Sequence, residues 1–518
     1  MADFMRNSDA FAWAMEHDPS LRSTIVTIIV LDRSPDWDAV VDRFERISRL
    51  IPMFRQRVVE TLPPAPPRWE YAPDFDIAYH LRRVIAPHPG TFDTVLEMAR
   101  RAEMAEFDRA RPLWETTLVE GLSDGGAAMV CKLHHSLADG IGGVQIAMLL
   151  FDTTEESEDR GPLPPEPEAE KAAPLDNLRY ALRYDAALAG TVARRAARVA
   201  PSAVVAGVRR PWGSTRAVAE TAASVYRTVR PINETASPIM RRRRLVRRLG
   251  VHEVPMPALR EAAHLAGGTL NDAFLAGVTG ALRRYHSHHG IDVGDLHVTM
   301  PVSIRADGDE IGGNRLTLMR FDLPAGVVDP AERIRQIHLR AAAVRAERSL
   351  PYTQMIAGGL NLLPRWYIAA ILRHVDFLAS DVPGIPMPVF LAGAAVRMQY
   401  PFGPTIGAGV NVTLMTYVDT CALGVNVDIG AIPDFEVFHD CLVSAEPITD
   451  GTPFVEPPIF AAAALASLLV TLGGFALAVL VGAIVGEFVS SQRGLGYVIL
   501  SAQGMFDTAR VFAAKRNA

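Results

Sequence analysis

The stretch Lys132-Leu133-His134-His135-Ser136-Leu137-Ala138-Asp139-Gly140 sets two histidines and an aspartate on one short turn between two apolar segments. Before it, Ala127 to Leu133 reads as a buried strand; after it, Ile141 to Phe151 reads as the start of an apolar helix. The histidines therefore fall where a strand ends. Gly140, Gly142 and Gly143 let the backbone bend tightly and leave room for close approach. A neutral imidazole near pH 7 can take a proton from a hydroxyl that attacks an activated acyl carbon, a role worth roughly 10²–10⁴-fold in rate. A bare His-His pair more often satisfies backbone carbonyls at a strand end. The full spacing His-His-x-x-x-Asp-Gly carries more than the pair.

Working outward, five further blocks follow in order: Pro52-Met53-Phe54-Arg55-Gln56-Arg57, Asp74 to His80, Arg111-Pro112-Leu113-Trp114-Glu115, Leu270-Asn271-Asp272 and Met300-Pro301-Val302-Ser303-Ile304-Arg305. Together with the His-His motif they resemble the blocks of bacterial wax ester synthase/diacylglycerol acyltransferases. These sit in the CoA-dependent acyltransferase superfamily, beside chloramphenicol acetyltransferase and the condensation domains of peptide synthetases. The resemblance covers about residues 1–445. It implies an α/β, two-lobed chloramphenicol acetyltransferase-like fold with a central tunnel. It also implies transfer of a long-chain acyl group from acyl-CoA, the co-substrate, to diacylglycerol or a fatty alcohol, with no metal or redox cofactor.

On that resemblance His135 is the general base, His134 positions the turn, Asp139 holds it, and Gly140 leaves space for substrate. Trp114, Asn271 and Asp272 join Gly140 as substrate-binding candidates, and Arg305 is the expected partner of Asp139, with Arg315 as rival. Local readings compete. Trp114 reads first as a core aromatic, and Thr269-Leu270-Asn271-Asp272 reads as a helix start with a capping-box-like Thr-x-x-Asp. Arg55 and Arg57 read equally as surface arginines. Ser136 lies next to the base but in no nucleophile elbow, which disfavours a serine hydrolase. Two other functions stay open: a condensation-type or polyketide-associated acyltransferase using a carrier-protein thioester, and a catalytically silent membrane-anchored protein.

At 518 residues the chain exceeds one core. A net charge of −6 argues against nucleic acid as a partner. Cys131, Cys421 and Cys441 are distant and odd in number, so neither a disulfide framework nor a zinc site is indicated, and a reducing, cytoplasmic face is expected. Acidic residues interrupt any N-terminal apolar run, so no signal peptide is expected.

Residues 1–153 read as a first lobe: a strand at Ser23–Leu31, a helix bearing Val40, Phe44, Ile47 and Ile51, a helix near Thr94–Phe107 and a strand at Thr116–Glu120. Residues 154–248 read as a Glu/Pro-rich linker followed by Arg-rich crossover helices. From 175 to 248 there are 16 Arg against 4 acidic residues, ending in Arg241-Arg242-Arg243-Arg244-Leu245-Val246-Arg247-Arg248. That stretch suits an anionic membrane or lipid-droplet surface, the phosphates of CoA, or an ordinary solvated face.

Residues 249–445 read as the second lobe. Its helix from Thr269 has Leu270, Phe274, Val278, Leu282 and Tyr285 as the buried stripe, with His286, His288 and His289 exposed at its end. A strand Leu296–Ile304, a helix Pro330–Arg348, a helical stretch Ile356–Ile371 and strands Asn411–Tyr417 and Leu423–Asp428 follow. Ala379 to Pro386 resembles the family's Asn-Val-Pro-Gly-Pro block, with Asp381 and Ile385 as departures, and reads as a turn near the substrate channel.

Residues 446–518 are foreign to that pattern. Ile459 to Gly486 is 28 residues without a charge, where a bilayer span needs about 20. Residues 486–508 resemble the C-terminal part of permease subunits of nitrate/sulfonate/taurine-type ABC transporters. The expectation is a C-terminal transmembrane segment anchoring the enzyme on the cytoplasmic side.

Overall fold

The computed structural model describes residues 3–156, 160–169, 175–190, 194, 220, 223–226, 230–303, 316–347 and 353–444. The described residues outside 174–227 form one compact unit; within 174–227, residues 175–190 are helical and are considered by themselves. Fifteen strands are present among the described residues: β1 (Asp3–Phe4), β2 (Thr24–Leu31), β3 (Gln56–Val59), β4 (Arg68–Tyr71), β5 (Leu81–Ile85), β6 (Trp114–Glu120), β7 (Ala127–His134), β8 (Arg247–Pro255), β9 (Asp295–Ser303), β10 (Leu316–Pro324), β11 (Phe377–Ile385), β12 (Phe390–Leu391), β13 (Ala394–Phe402), β14 (Val410–Tyr417) and β15 (Thr420–Asp428).

They form two six-stranded sheets, ordered β12-β13-β2-β7-β6-β5 and β10-β9-β11-β14-β15-β8, and a small sheet β1-β4-β3. The alternation along β2 explains why the first sheet is covered on both faces. Val26 and Ile28 pack on Val95 and Ala99 of the helix Phe92–Met104, whereas Ile25, Thr27 and Ile29 point to the other side, into a cavity. There the helix Trp37–Leu50, N-capped by Asp36, buries Val40, Phe44 and Ile47.

Lobe boundaries in sequence and in space differ. β12 and β13 come from the second half of the chain yet belong to the first sheet, with β13 pairing antiparallel to β2 from Val396–Leu31 to Phe402–Val26. The two large sheets approach there at backbone contact: a Cβ on Gly424 of β15 would lie 1.7 Å from the carbonyl oxygen of Pro401 in β13. Strands β10 and β13 stand beyond the strands expected from the sequence.

Other differences have local causes. The Ala379–Pro386 block is a strand rather than a turn, since β11 runs parallel to β14 from Phe377 to Ile385 with a register shift after Val382. The helical stretch Ile356–Ile371 is two helices, Thr353–Leu360 and Arg365–Leu372, interrupted at Pro364. The arginine run feeds β8, and two of its members are pins. Arg247 donates to Asp428 at 2.7 Å from a buried position, and Arg243 donates to the carbonyls of Gly407 and Val375, each at 2.8 Å. Arg241, Arg242, Arg244 and Arg248 are exposed. His286 is buried, not exposed, with its ring bonded to Ser237 Oγ at 2.7 Å. Among the described residues no helix is long and apolar enough to cross a membrane. The Ile459–Gly486 span lies outside the described residues.

Candidate active site

β7 delivers the histidines. Its last residue, His134, pairs with Thr24 of β2, and the amide of His135 donates to the Ser23 carbonyl at 2.9 Å. The chain then turns through Ser136–Ala138 and enters the helix Gly140–Leu150. Asp139 is the N-cap of that helix, and its carboxylate accepts from the Gly142 amide at 2.7 Å. The motif is therefore a strand end, a turn and a capped helix start. Gly140 answers to a close approach: a Cβ there would lie 2.8 Å from the Val382 side chain of β11.

The two imidazoles have different surroundings. His134 is fully buried; the Ser136 amide donates to its Nδ1 at 3.1 Å, which makes that nitrogen the acceptor and leaves the proton on Nε2. Nε2 faces the Glu16 carboxylate at 3.4 Å. Trp13 and Phe107 set their rings edge-on to it at 5.8 and 6.1 Å. Glu16, itself 1 % exposed, also accepts from the Ser23 amide at 3.1 Å. Burial pushes the Glu16 carboxyl up, but His134, the Ser23 amide and Arg22 together outweigh it and hold the group below the usual carboxylate range.

His135 is half-buried and lines the cavity. Burial, the largest influence, lowers its pKa below that of an ordinary imidazole, with His134 acting in the same direction against its own backbone oxygen and Asp139. It is thus a neutral base at pH 7. Its Nδ1 is buried, which leaves Nε2 as the nitrogen for a substrate hydroxyl.

The cavity, about 160 Å³, is enclosed by both large sheets and two helices. Apolar lining comes from Phe44, Ile47, Phe54, Trp114, Ile146 and Leu150; polar side chains come chiefly from Ser380, Gln399, Asn411 and Thr413. Trp114 is a core aromatic that also borders the cavity. It is 1 % exposed, stacked on Phe44 at 5.7 Å and on His80 at 4.7 Å, with its Nε1 donating to the Phe54 carbonyl at 2.9 Å, and it lines the cavity.

Asn271 and Asp272 are not brought to the cavity. They open the helix Leu270–His288, where Asp272 closes a capping box with Thr269 and accepts from His338 Nδ1 at 2.7 Å. Asn271 reaches Met300 Sδ at 3.9 Å. Their structural duty explains their place at that helix start without any substrate contact. Arg305 and Arg315, the expected partners of Asp139, lie outside the described residues. Glu16 was missed because one carboxylate in an N-terminal helix-turn has no pattern of its own; only the return of β2 beside β7 sets it behind His134.

Comparison with known proteins gives the family. The wax ester synthase/diacylglycerol acyltransferase catalytic domain matches residues 5–274 and the C-terminal domain of that family matches 312–445. A Mycobacterium tuberculosis protein provisionally named a diacylglycerol O-acyltransferase is 36% identical over 445 residues, covering 82% of this chain and 87% of its own length. A second protein of that organism, similarly named, is 30% identical over 450 residues, 81% of this chain and 92% of its own. Among solved structures, a wax ester synthase/diacylglycerol acyltransferase from Marinobacter aquaeolei aligns with a TM-score of 0.57 at 19% identity, covering 85% of this chain and 97% of its own. The first condensation domain of the calcium-dependent antibiotic synthetase aligns at 0.55 and 15%, covering 86% and 95%. At such identities these two speak for the fold alone. The family match ends at residue 445, so the hydrophobic tail and its permease-like residues fall beyond it. The chain belongs to the wax ester synthase/diacylglycerol acyltransferase family and is an acyltransferase.

Proposed function

We propose that this chain moves a long-chain acyl group from acyl-CoA to the hydroxyl of a hydrophobic alcohol, diacylglycerol or a fatty alcohol. The observation that carries the reading is the His135 imidazole, its pKa lowered by burial, on the wall of a mostly apolar cavity. His135 Nε2 takes the hydroxyl proton as the alcohol oxygen bonds to the thioester carbonyl carbon, giving a tetrahedral oxyanion. The oxyanion collapses, the carbon–sulfur bond breaks, and the CoA sulfur leaves with the proton returned from His135. No acyl-enzyme forms, and none of these steps draws on a metal or redox group. His134, fixed by Ser136 and Glu16, holds the turn, and Asp139 holds the start of the helix behind it.

Thiol release from palmitoyl-CoA, with and without diolein or hexadecanol, tests this. Release should require the alcohol and fall about 10²–10⁴-fold in His135→Ala. Alcohol-independent release, or a His135→Ala protein as active as the parent, would sink the assignment. The 28-residue apolar span Ile459–Gly486 supports a further proposal, that the enzyme is anchored to a membrane at its cytoplasmic face. It should then stay with membranes through an alkaline wash; complete release would refute anchoring.

A further inference from the structure

The cavity around His135 has a mixed lining, and its helical side is the apolar one. Ser380, Gln399, Asn411 and Thr413 supply polar groups from the second half of the chain. The same half also brings Leu318, Leu378, Val382 and Met415, whereas the two helices of the first half bring apolar groups alone. The helix Gly140–Leu150 turns Gly143, Val144, Ala147 and Leu150 inward, one face at three- and four-residue spacing, across from Phe44 and Ile47 of the helix Trp37–Leu50. From Gly140 to Leu150 that face rises about 15 Å at 1.5 Å per residue.

Gly143 is informative because nothing in the protein requires it. A Cβ there would meet no atom within 4 Å, and glycine inside a helix is less favourable than alanine. The space beside it opens into the cavity, so the helix gives up stability for room. At the far end Ile47 has a double position. It lines the reaction cavity and also a separate surface pocket of about 300 Å³ that includes Leu50, Met148, Leu149 and Phe151. Ile47 is only 1 % exposed and Leu150 5 %, so the two spaces are parted by the thickness of these side chains.

We propose that this apolar arm measures the acyl chain of the donor, with Gly143 and Ala147 setting its bore and Ile47, with Leu150, forming its end wall. The inference rests on the acyl-transfer reading and names the half of the substrate that the arm holds. An acyl chain carries no polar atom beyond its carbonyl and needs only apolar contact. A diacylglycerol acceptor has two esters close to its hydroxyl, which suit the side of the cavity that carries Ser380 and Gln399.

The test measures kcat/KM of the full chain for saturated acyl-CoAs of increasing length with one fixed alcohol, then for alcohols of increasing length with one fixed acyl-CoA. Ala147→Leu should move the acyl optimum to shorter chains, with roughly tenfold loss for the longest. Ile47→Ala should move it to longer chains, and Leu150→Ala is the second route to the same opening if Ile47→Ala fails to fold. The alcohol profile should not move. An alcohol profile that shifts while the acyl profile stays fixed would give the arm to the acceptor and overturn the proposal, as would two unmoved profiles in folded variants. Parent protein with no alcohol-dependent transfer at any length would instead overturn the acyl-transfer reading on which the proposal stands.

Discussion

At the residue scale, the His-His pair divides its labour by environment. Burial lowers the pKa of His135, and His134 is oriented by the Ser136 amide on its Nδ1 and the Glu16 carboxylate beside its Nε2. Glu16 is the residue behind that orientation, joining His134 to the Ser23 amide, while the Ser23 carbonyl holds the His135 amide. We expect Glu16→Gln to lower kcat about ten- to a hundredfold through small displacement of the base, with the KM for acyl-CoA little changed. Glu16→Asp should restore part of it. An unchanged kcat in folded Glu16→Gln protein would show that Glu16 only packs. The spacing of the motif made His134, His135 and Asp139 legible in advance. The depth of His134, the capping job of Asp139 and the existence of Glu16 were not, because each depends on a strand arriving from elsewhere in the chain.

At the element scale, β11 shows how much alternation decides. Leu378, Ser380 and Val382 face the cavity, so Asp381 faces the opposite side, among the groups packed behind the sheet. Burial pushes its carboxyl up to about 6, with Arg345 opposing. A carboxyl whose folded pKa lies above its unfolded value near 3.9 adds stability below the unfolded value and loses that contribution as pH rises through about 6. The family block carries asparagine here. Asp381→Asn should therefore stabilise the protein by roughly 1–2 kcal/mol at pH 7.5, allowing for partial solvent exposure, and by much less at pH 4.5. Equal shifts in melting temperature at both pH values would refute this account. Helices with strong apolar stripes and sound caps, such as Trp37–Leu50 and Leu270–His288, were readable from residues alone. The Ala379–Pro386 block was not, because Pro383 and Gly384 read as a turn. A Cβ on Gly384 would lie 1.7 Å from the Thr416 carbonyl oxygen, so glycine there admits a neighbouring strand.

At the scale of the whole molecule, the order of motifs along the chain announced the fold class, but not that one sheet is built from both halves. Pairings between distant segments leave no periodic trace, and β13 could equally have paired with its neighbours in sequence. That exchange has a consequence for synthesis. β2 and β7 can meet early, yet the other edge of β2 waits for β13, and the paired residues Leu31 and Val396 are 365 positions apart (396 − 31). At ribosomal speeds of 5–20 residues per second, that is roughly 20–70 s of translation. Throughout that interval a β-branched strand, Thr24-Ile25-Val26-Thr27-Ile28-Ile29-Val30-Leu31, presents unpaired backbone groups to anything extended nearby. The nascent first half therefore keeps an open sheet edge until β13 emerges, and its sheet cannot be completed from its own residues.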